Sequence, residues 1–321
     1  MELKLVEFCA GTGAFSLAFK ENNVKVVYAN DFDKNSEKIF NENNNIKLVC
    51  KDIHEIKEEE IPKHDILTAG FPCQAFSIAG KQLGFDDERS NVFWKLIKII
   101  KYHKPKVIIF ENVKNLKNHD EGKTFKVMED EIKKLKYYYK YKILNTCNVS
   151  NIPQNRERIY IVCFRNKEHC DKFEFPDEED NKLRLELKNI LDKNVNDKYY
   201  YKDTLKVYNE INNNVIKDIS TNTIYQYRRY YVRENKNGIC PTLTANMGSG
   251  GHNVPLIRDN KGVRKLTPKE CFKLQGFPDN YKLPKISDSG LYKLAGNAVS
   301  VPVVKKIVKN IINVVNNTIN V

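Results

Sequence analysis

Short apolar runs alternate with amphipathic stretches through the first half of the chain. The runs are LKLVEF at 3 to 8, VKVVYAN at 24 to 30, IKLVC at 46 to 50, DILTAG at 65 to 70, KVIIFEN at 106 to 112 and RIYIVCF at 158 to 164. Their length and near-continuous apolar character predict strands buried on both faces. Between them, FSLAFKEN, KNSEKIFNEN and NVFWKLIKIIKY repeat apolar residues every three or four positions, the spacing of amphipathic helices. Strands and helices taken in turn predict a doubly wound α/β domain, a parallel sheet covered by helices. Near residue 176 the alternation stops, and FPDEEDNKLRLEL opens a region rich in Lys, Asn and Tyr. The expected organisation is therefore a first domain over 1–180, a smaller domain over 181–262, and a segment over 263–321 that returns to the first. In that last segment LTPKECFKLQGFP predicts a helix ended by a Gly and Pro turn, and GNAVSVPVVKKIVKNIINVV a final amphipathic helix.

Composition narrows the function classes. The 321 residues include 54 Lys and Arg against 41 Asp and Glu, a net charge of +13, which suits a polyanionic partner. With 17 Tyr and 16 Phe there is ample material for a packed core. No apolar run approaches the roughly 18 residues of a membrane span, and Glu2 and Glu7 interrupt the first one, so neither a span nor a secretory leader is expected. The eight cysteines are scattered singly, without a C-x-x-C pair, so neither disulfides nor a metal site is expected, and a reducing cytoplasm fits.

Candidate chemistry gathers at the ends of the predicted strands. The first ends in Phe8-Cys9-Ala10-Gly11-Thr12-Gly13, whose glycines allow a tight turn and close ligand approach. Asp31, at the end of the second strand, can accept bonds from two ribose hydroxyls, and Asp52, after the third, from an adenine amino group. Phe15 and Ser16 stand where a dinucleotide fingerprint has its third glycine, which disfavours a pyrophosphate cofactor such as NAD. The fourth strand runs into Gly70-Phe71-Pro72-Cys73, placing a thiol at the same edge of the sheet. Glu111 follows from the fifth strand, and Arg156 and Arg158 precede the sixth. A thiol, a carboxylate and two guanidiniums brought to one crevice predict an active site.

These motifs, in this order and over essentially the whole chain, resemble the cytosine-5 DNA methyltransferase family of bacterial restriction-modification systems. The resemblance rests on Phe8 to Phe15, GFPCQAFSIAG, FENV, QNRER, PTLTA, LTPKECFKLQGFPD and GNAVSVPVV. It implies a Rossmann-like S-adenosylmethionine-dependent domain and a smaller target recognition domain. It implies a cofactor site made of Phe8, Cys9, Ala10, Gly11, Thr12, Gly13, Asp31, Phe32, Asp52, Ile53, Pro72 and Asn297, with Cys9 a departure where many members carry Phe. Cys73 is then the nucleophile that adds to C6 of a cytosine flipped out of the duplex, Glu111 relieves charge at N3, Arg158 bonds O2, and Arg156 supports the catalytic loop or a phosphate. Lys81, Arg89, Arg228, Arg229, Arg233 and Thr242 are the expected DNA contacts, with arginine able to read guanine edges. The implied partners are double-stranded DNA and a cognate restriction endonuclease acting on the same site, for a monomer working in the bacterial cytoplasm at the nucleoid. The alternatives are a tRNA cytosine-5 methyltransferase on the same scaffold and a DNA-binding protein without catalysis.

Overall fold

The computed structural model describes residues 2–71, 92–178, 185–202, 223–228, 231–235, 237–248 and 254–317. They form two compact units, one of residues 1–144, 157–177 and 303–321, the other of 145–156 and 178–302. The expected boundary near 180 lies close to that division, but 145–156 and 263–302 group with the smaller unit. For 263–302 the reason is a capping helix built into the smaller unit's own ion-pair network, described below.

In the larger unit the chain runs β1 (Leu3–Phe8), α1 (Ala14–Phe19), β2 (Val24–Asp31), α2 (Lys34–Asn43), β3 (Val49–Cys50), β4 (Ile66–Ala69), α3 (Val92–His103), β5 (Val107–Val113), α4 (Lys123–Lys134) and β6 (Tyr138–Asn145). After α5 (Thr146–Val149), β7 (Glu157–Phe164) and α6 (Lys167–Lys172) complete it, together with α9 (Val301–Asn317) at the carboxyl end. The sheet has seven strands in the order β3-β2-β1-β4-β5-β7-β6. β1 pairs in parallel with both β2 and β4, so the order reverses between β1 and β4 and their carboxyl ends open a crevice. Phe8 lies opposite Ala69, so β1 and β4 end side by side. Beneath them Val6, Phe8, Leu67, Phe93, Phe110 and Ile161 belong to one buried apolar cluster.

Two features depart from the expected pattern. β7 is antiparallel to β5, with Glu111 opposite Tyr160 and Val113 opposite Arg158, so the sheet is parallel only in part. Apolar periodicity marks a buried strand but carries no sign for its direction. β6 and α4 lie outside the predicted elements: β6 is the sheet's edge strand, and its YYKYKILN is half-buried to exposed along nearly its whole length, so no clean apolar alternation announces it.

The smaller unit carries an antiparallel sheet, β11-β10-β8-β9, made of β8 (Ile224–Arg228), β9 (Tyr231–Asn235), β10 (Pro255–Asp259) and β11 (Gly262–Lys265). α7 (Pro268–Leu274), the helix expected in LTPKECFKLQGFP, starts with Thr267 and Glu270 in a reciprocal capping box. Glu270 also receives both terminal nitrogens of Arg264, at 2.8 and 2.9 Å, while Arg264 Nε reaches Asp259 at 2.9 Å. This network of buried and partly buried charges ties β10 and β11 to α7. The expected final helix is two helices, α8 (Asp288–Asn297) and α9, broken over 298–300.

Candidate active site

The loop after β1 takes left-handed backbone angles at Cys9, Gly11 and Gly13, with φ of 50°, 50° and 69°. At Gly13 the reason is space, since a Cβ there would meet Phe40 and Asn44 side-chain atoms at 3.0 Å. The Gly11 N–H donates to Asp31 Oδ2 at 2.8 Å, and the Asp33 N–H to Oδ1 at 2.9 Å. Asp31 thus fastens the loop to the end of β2, and burial raises its pKa above the ordinary carboxylate value although these N–H groups oppose the rise. Burial pushes the Cys9 thiol up, helped by the charges of Asp31 and Asp52. Phe32 is 74% exposed, an uncovered ring beside Asp31. Asp52 caps the short turn Ile53–Glu55, and Ile53 points into the core.

Behind the loop lies Glu7, which the sequence marks only as a charge within the first apolar run. It is 1% exposed and its Oε2 accepts from the Ser16 N–H at 2.9 Å and from the Ser16 hydroxyl. Ser16 occupies the place of the absent third glycine, and its use is now visible: it anchors the start of α1 to β1. Burial lifts the Glu7 carboxyl to about 7. A charged residue in the middle of an apolar strand was the available signal.

On the catalytic side, Phe71 is buried and packs edge-on against Phe110 at 5.6 Å. Its carbonyl accepts from Asn112 Nδ2 at 2.9 Å, which ties the chain two residues before Cys73 to β5. Pro72, Cys73, Lys81 and Arg89 lie outside the described residues. Next to Asn112, Glu111 is 7% exposed and faces Arg158, with Nε to Oε1 at 3.2 Å. The antiparallel register of β5 and β7 makes this pair, because it brings Arg158 opposite Val113 and within reach of Glu111.

Across residues 3–313 the chain matches the family model of C-5 cytosine-specific DNA methylase. It is 46% identical over 313 residues to the Type II methyltransferase M.Bsp6I of Bacillus sp. (strain RFL6), covering 96% of this chain and 98% of that one. Type II methyltransferase M.HhaI of Haemophilus parahaemolyticus is 37% identical over 320 residues, covering 96% of this chain and 94% of its own. The chain belongs to the C-5 cytosine-specific DNA methylases. The fold of this methylase is shared by a solved mutant DNMT2 of Spodoptera frugiperda, with a TM-score of 0.75, 22% identity and coverage of 96% and 99% of the two chains. Its activity, methylation of cytosine in DNA at C5, sets what the site has to do.

Arg156 is held by the backbone of the smaller unit. It is 2% exposed, and its terminal nitrogens donate to the carbonyls of Leu243, Gly296 and Ala298 at 2.8 to 3.0 Å. These bonds make Arg156 a brace within the smaller unit of the methylase. Its neighbours do similar service. Gln154 Nε2 donates to the Leu274 carbonyl at 2.6 Å, the Asn155 N–H to that of Cys240 at 2.8 Å, and the Thr242 hydroxyl to that of Asn155 at 2.6 Å. QNR and PTLTA are thus two sides of one laced structure, a link no spacing along the chain could reveal.

Of the expected DNA contacts, Arg233 and Thr242 line one concave pocket of about 740 Å³ in the smaller unit. Arg228 ends β8, and Arg229 lies outside the described residues. Asn297 is the exposed last residue of α8.

Proposed function

We propose that this methylase modifies double-stranded DNA through a covalent adduct of Cys73 with the target cytosine, using S-adenosylmethionine, and protects recognition sites from a cognate restriction endonuclease in a bacterial cytoplasm. The observation that carries the reading is the Asn112 to Phe71 bond. It ties Phe71, two residues before Cys73 in the sequence, to the strand whose Glu111 faces Arg158.

The residues fit the cofactor. Each Asp31 oxygen takes one N–H and keeps a lone pair for a ribose hydroxyl, Phe32 offers an open ring face, and Gly11 has no side chain to obstruct approach. When bound, S-adenosylmethionine supplies an electrophilic methyl group. C5 of cytosine is a poor nucleophile until something adds at C6. The Cys73 thiolate does so, its sulfur pair forming the S–C6 bond while the C5–C6 π pair shifts to make C5 an enamine carbon. Negative charge then moves toward N3. The Glu111 carboxyl relieves that charge by sharing a proton with N3, while the Arg158 guanidinium bonds O2. Once C5 is methylated, loss of its proton to a base returns the pair that expels Cys73. The target must leave the helix for any of this to happen, at a few kcal/mol of unstacking.

A duplex carrying 5-fluorocytosine at the target position tests the reading. Fluorine cannot leave as a cation, so the enzyme should stall as an adduct that survives denaturing electrophoresis, needs S-adenosylmethionine, and is absent from Cys73→Ser. An adduct on fluorinated tRNA with none on duplex DNA would assign the chain to RNA instead.

A further inference from the structure

In the smaller unit's sheet, Gln226 of β8 stands opposite Arg233 of β9 and Pro255 of β10. Paired residues of a ladder share a face, and alternation sends Tyr225, Tyr227 and Val232 to the other one. There they pack with Leu256 and Val263 in the sheet's apolar cluster. The Gln226 face is therefore the one turned away from that cluster, and it carries a neutral amide beside a guanidinium.

Gln226 is only 5% exposed, and with Arg233, Asn235, Asn237 and Thr242 it lines the pocket of about 740 Å³. Its carboxamide oxygen is buried and has no hydrogen-bond partner among the described residues. A buried acceptor without a donor is a standing cost to a fold, and a change of side-chain torsion turns this one toward the pocket it already lines. The Thr242 side of the pocket is held in place by its bond to Asn155. Glu234 also lines the pocket, and its register opposite Tyr225 assigns it to the sheet's other face. The site thus sets an acceptor in want of a donor next to a planar cation, on neighbouring strands.

A G·C pair presents the complement of that arrangement on its major-groove edge: cytosine offers the N4 amino donor, and guanine offers O6 and N7 as a pair of acceptors matched to arginine. An A·T pair has its own amino donor but no such pair of acceptors beside it. We propose that Gln226 is a specificity-determining residue of this methylase, which together with Arg233 reads one G·C pair of the recognition sequence, Gln226 accepting from the cytosine and Arg233 donating to the guanine. The inference rests on the smaller unit being the part that meets duplex DNA.

The test is a DNA library randomised around cytosines, methylated by wild-type and variant protein and sequenced for 5-methylcytosine. Wild type should require G·C at one position that Gln226→Leu and Arg233→Ala both relax, each lowering discrimination there by about 5- to 150-fold. Gln226→Glu keeps an acceptor for the cytosine amino group and should retain the preference. Gln226→Leu should melt no lower than wild type, since it removes an unmatched acceptor. Relaxation at two different positions, or at none, overturns the proposal. So does a uniform loss of methylation at every site with a lowered melting temperature, which would make Gln226 a structural residue. A wild-type protein that leaves the whole library unmethylated is a different failure, and it would overturn the reading of the enzyme along with this one.

Discussion

Glu7 and His64 give stability two opposing pH dependences. Burial raises the Glu7 carboxyl from 4.5 to about 7, so between those values the folded chain holds a proton that the unfolded chain has released. Stability should therefore fall as pH rises through that window, by on the order of 3 kcal/mol. Glu7→Gln keeps an acceptor for Ser16 and should abolish this slope, read as the difference in melting temperature from wild type between pH 5 and 8. His64 is the reverse case. Burial lowers it from 6.5 to about 4, against the help of the Pro62 carbonyl at 2.8 Å, with the His103 ring centroid 4.7 Å away. The unfolded chain takes up its proton first, so stability is lost as pH falls from 6.5 toward 4, and His64→Leu should flatten that acid limb. Glu111→Gln belongs to chemistry at the same scale. It cannot give a proton to N3, and single-turnover methylation should slow on the order of 100-fold while DNA binding persists. Retention of the wild-type rate would remove Glu111 from the mechanism.

At the scale of elements, the break between α8 and α9 explains both Arg156 and Gly296. Helix ends leave carbonyls without partners, and a cation near a carboxyl end is favourable. Arg156 supplies this at α8 by bonding the carbonyls of Gly296 and Ala298. Gly296 is required for closeness, because a Cβ there would fall 2.2 Å from the carbonyl carbon and oxygen of Thr244. Gly296→Ala should consequently cost about 1 to 3 kcal/mol, measured by denaturant unfolding, even though Ala is the better helix former. A variant as stable as wild type would show that the Thr244 backbone yields to the added carbon. The sequence reading made one helix of 296–315 because apolar spacing continues across the break. A buried guanidinium arriving from far along the chain leaves no mark on that spacing.

For the whole molecule, the chain leaves the larger unit at 145 and again at 178, returning at 157 and 303. The short first excursion carries Gln154, Asn155 and Arg156, which lace onto 240–243. Grafts that exchange 223–239 for a relative's residues while keeping 240–248 should stay folded and move methylation to a different sequence, as read from methylated genomic DNA. If the original site were still methylated, sequence reading would reside elsewhere in the chain. What the sequence determined by itself was local chemistry: buried strands from apolar runs, the glycine turn, the Thr267 and Glu270 cap, and the motif residues whose order marks the family. These are legible because each depends on neighbours a few positions away. The tertiary structure alone decided the direction of β7, and with it the meeting of Arg158 and Glu111. It also decided the bonding of Arg156 to the carbonyls of Leu243, Gly296 and Ala298, and the placing of Gln226 beside Arg233. Strand direction and cross-strand register come from pairing between distant segments, and a side chain's partners follow from that pairing, so no periodicity within one segment can encode them.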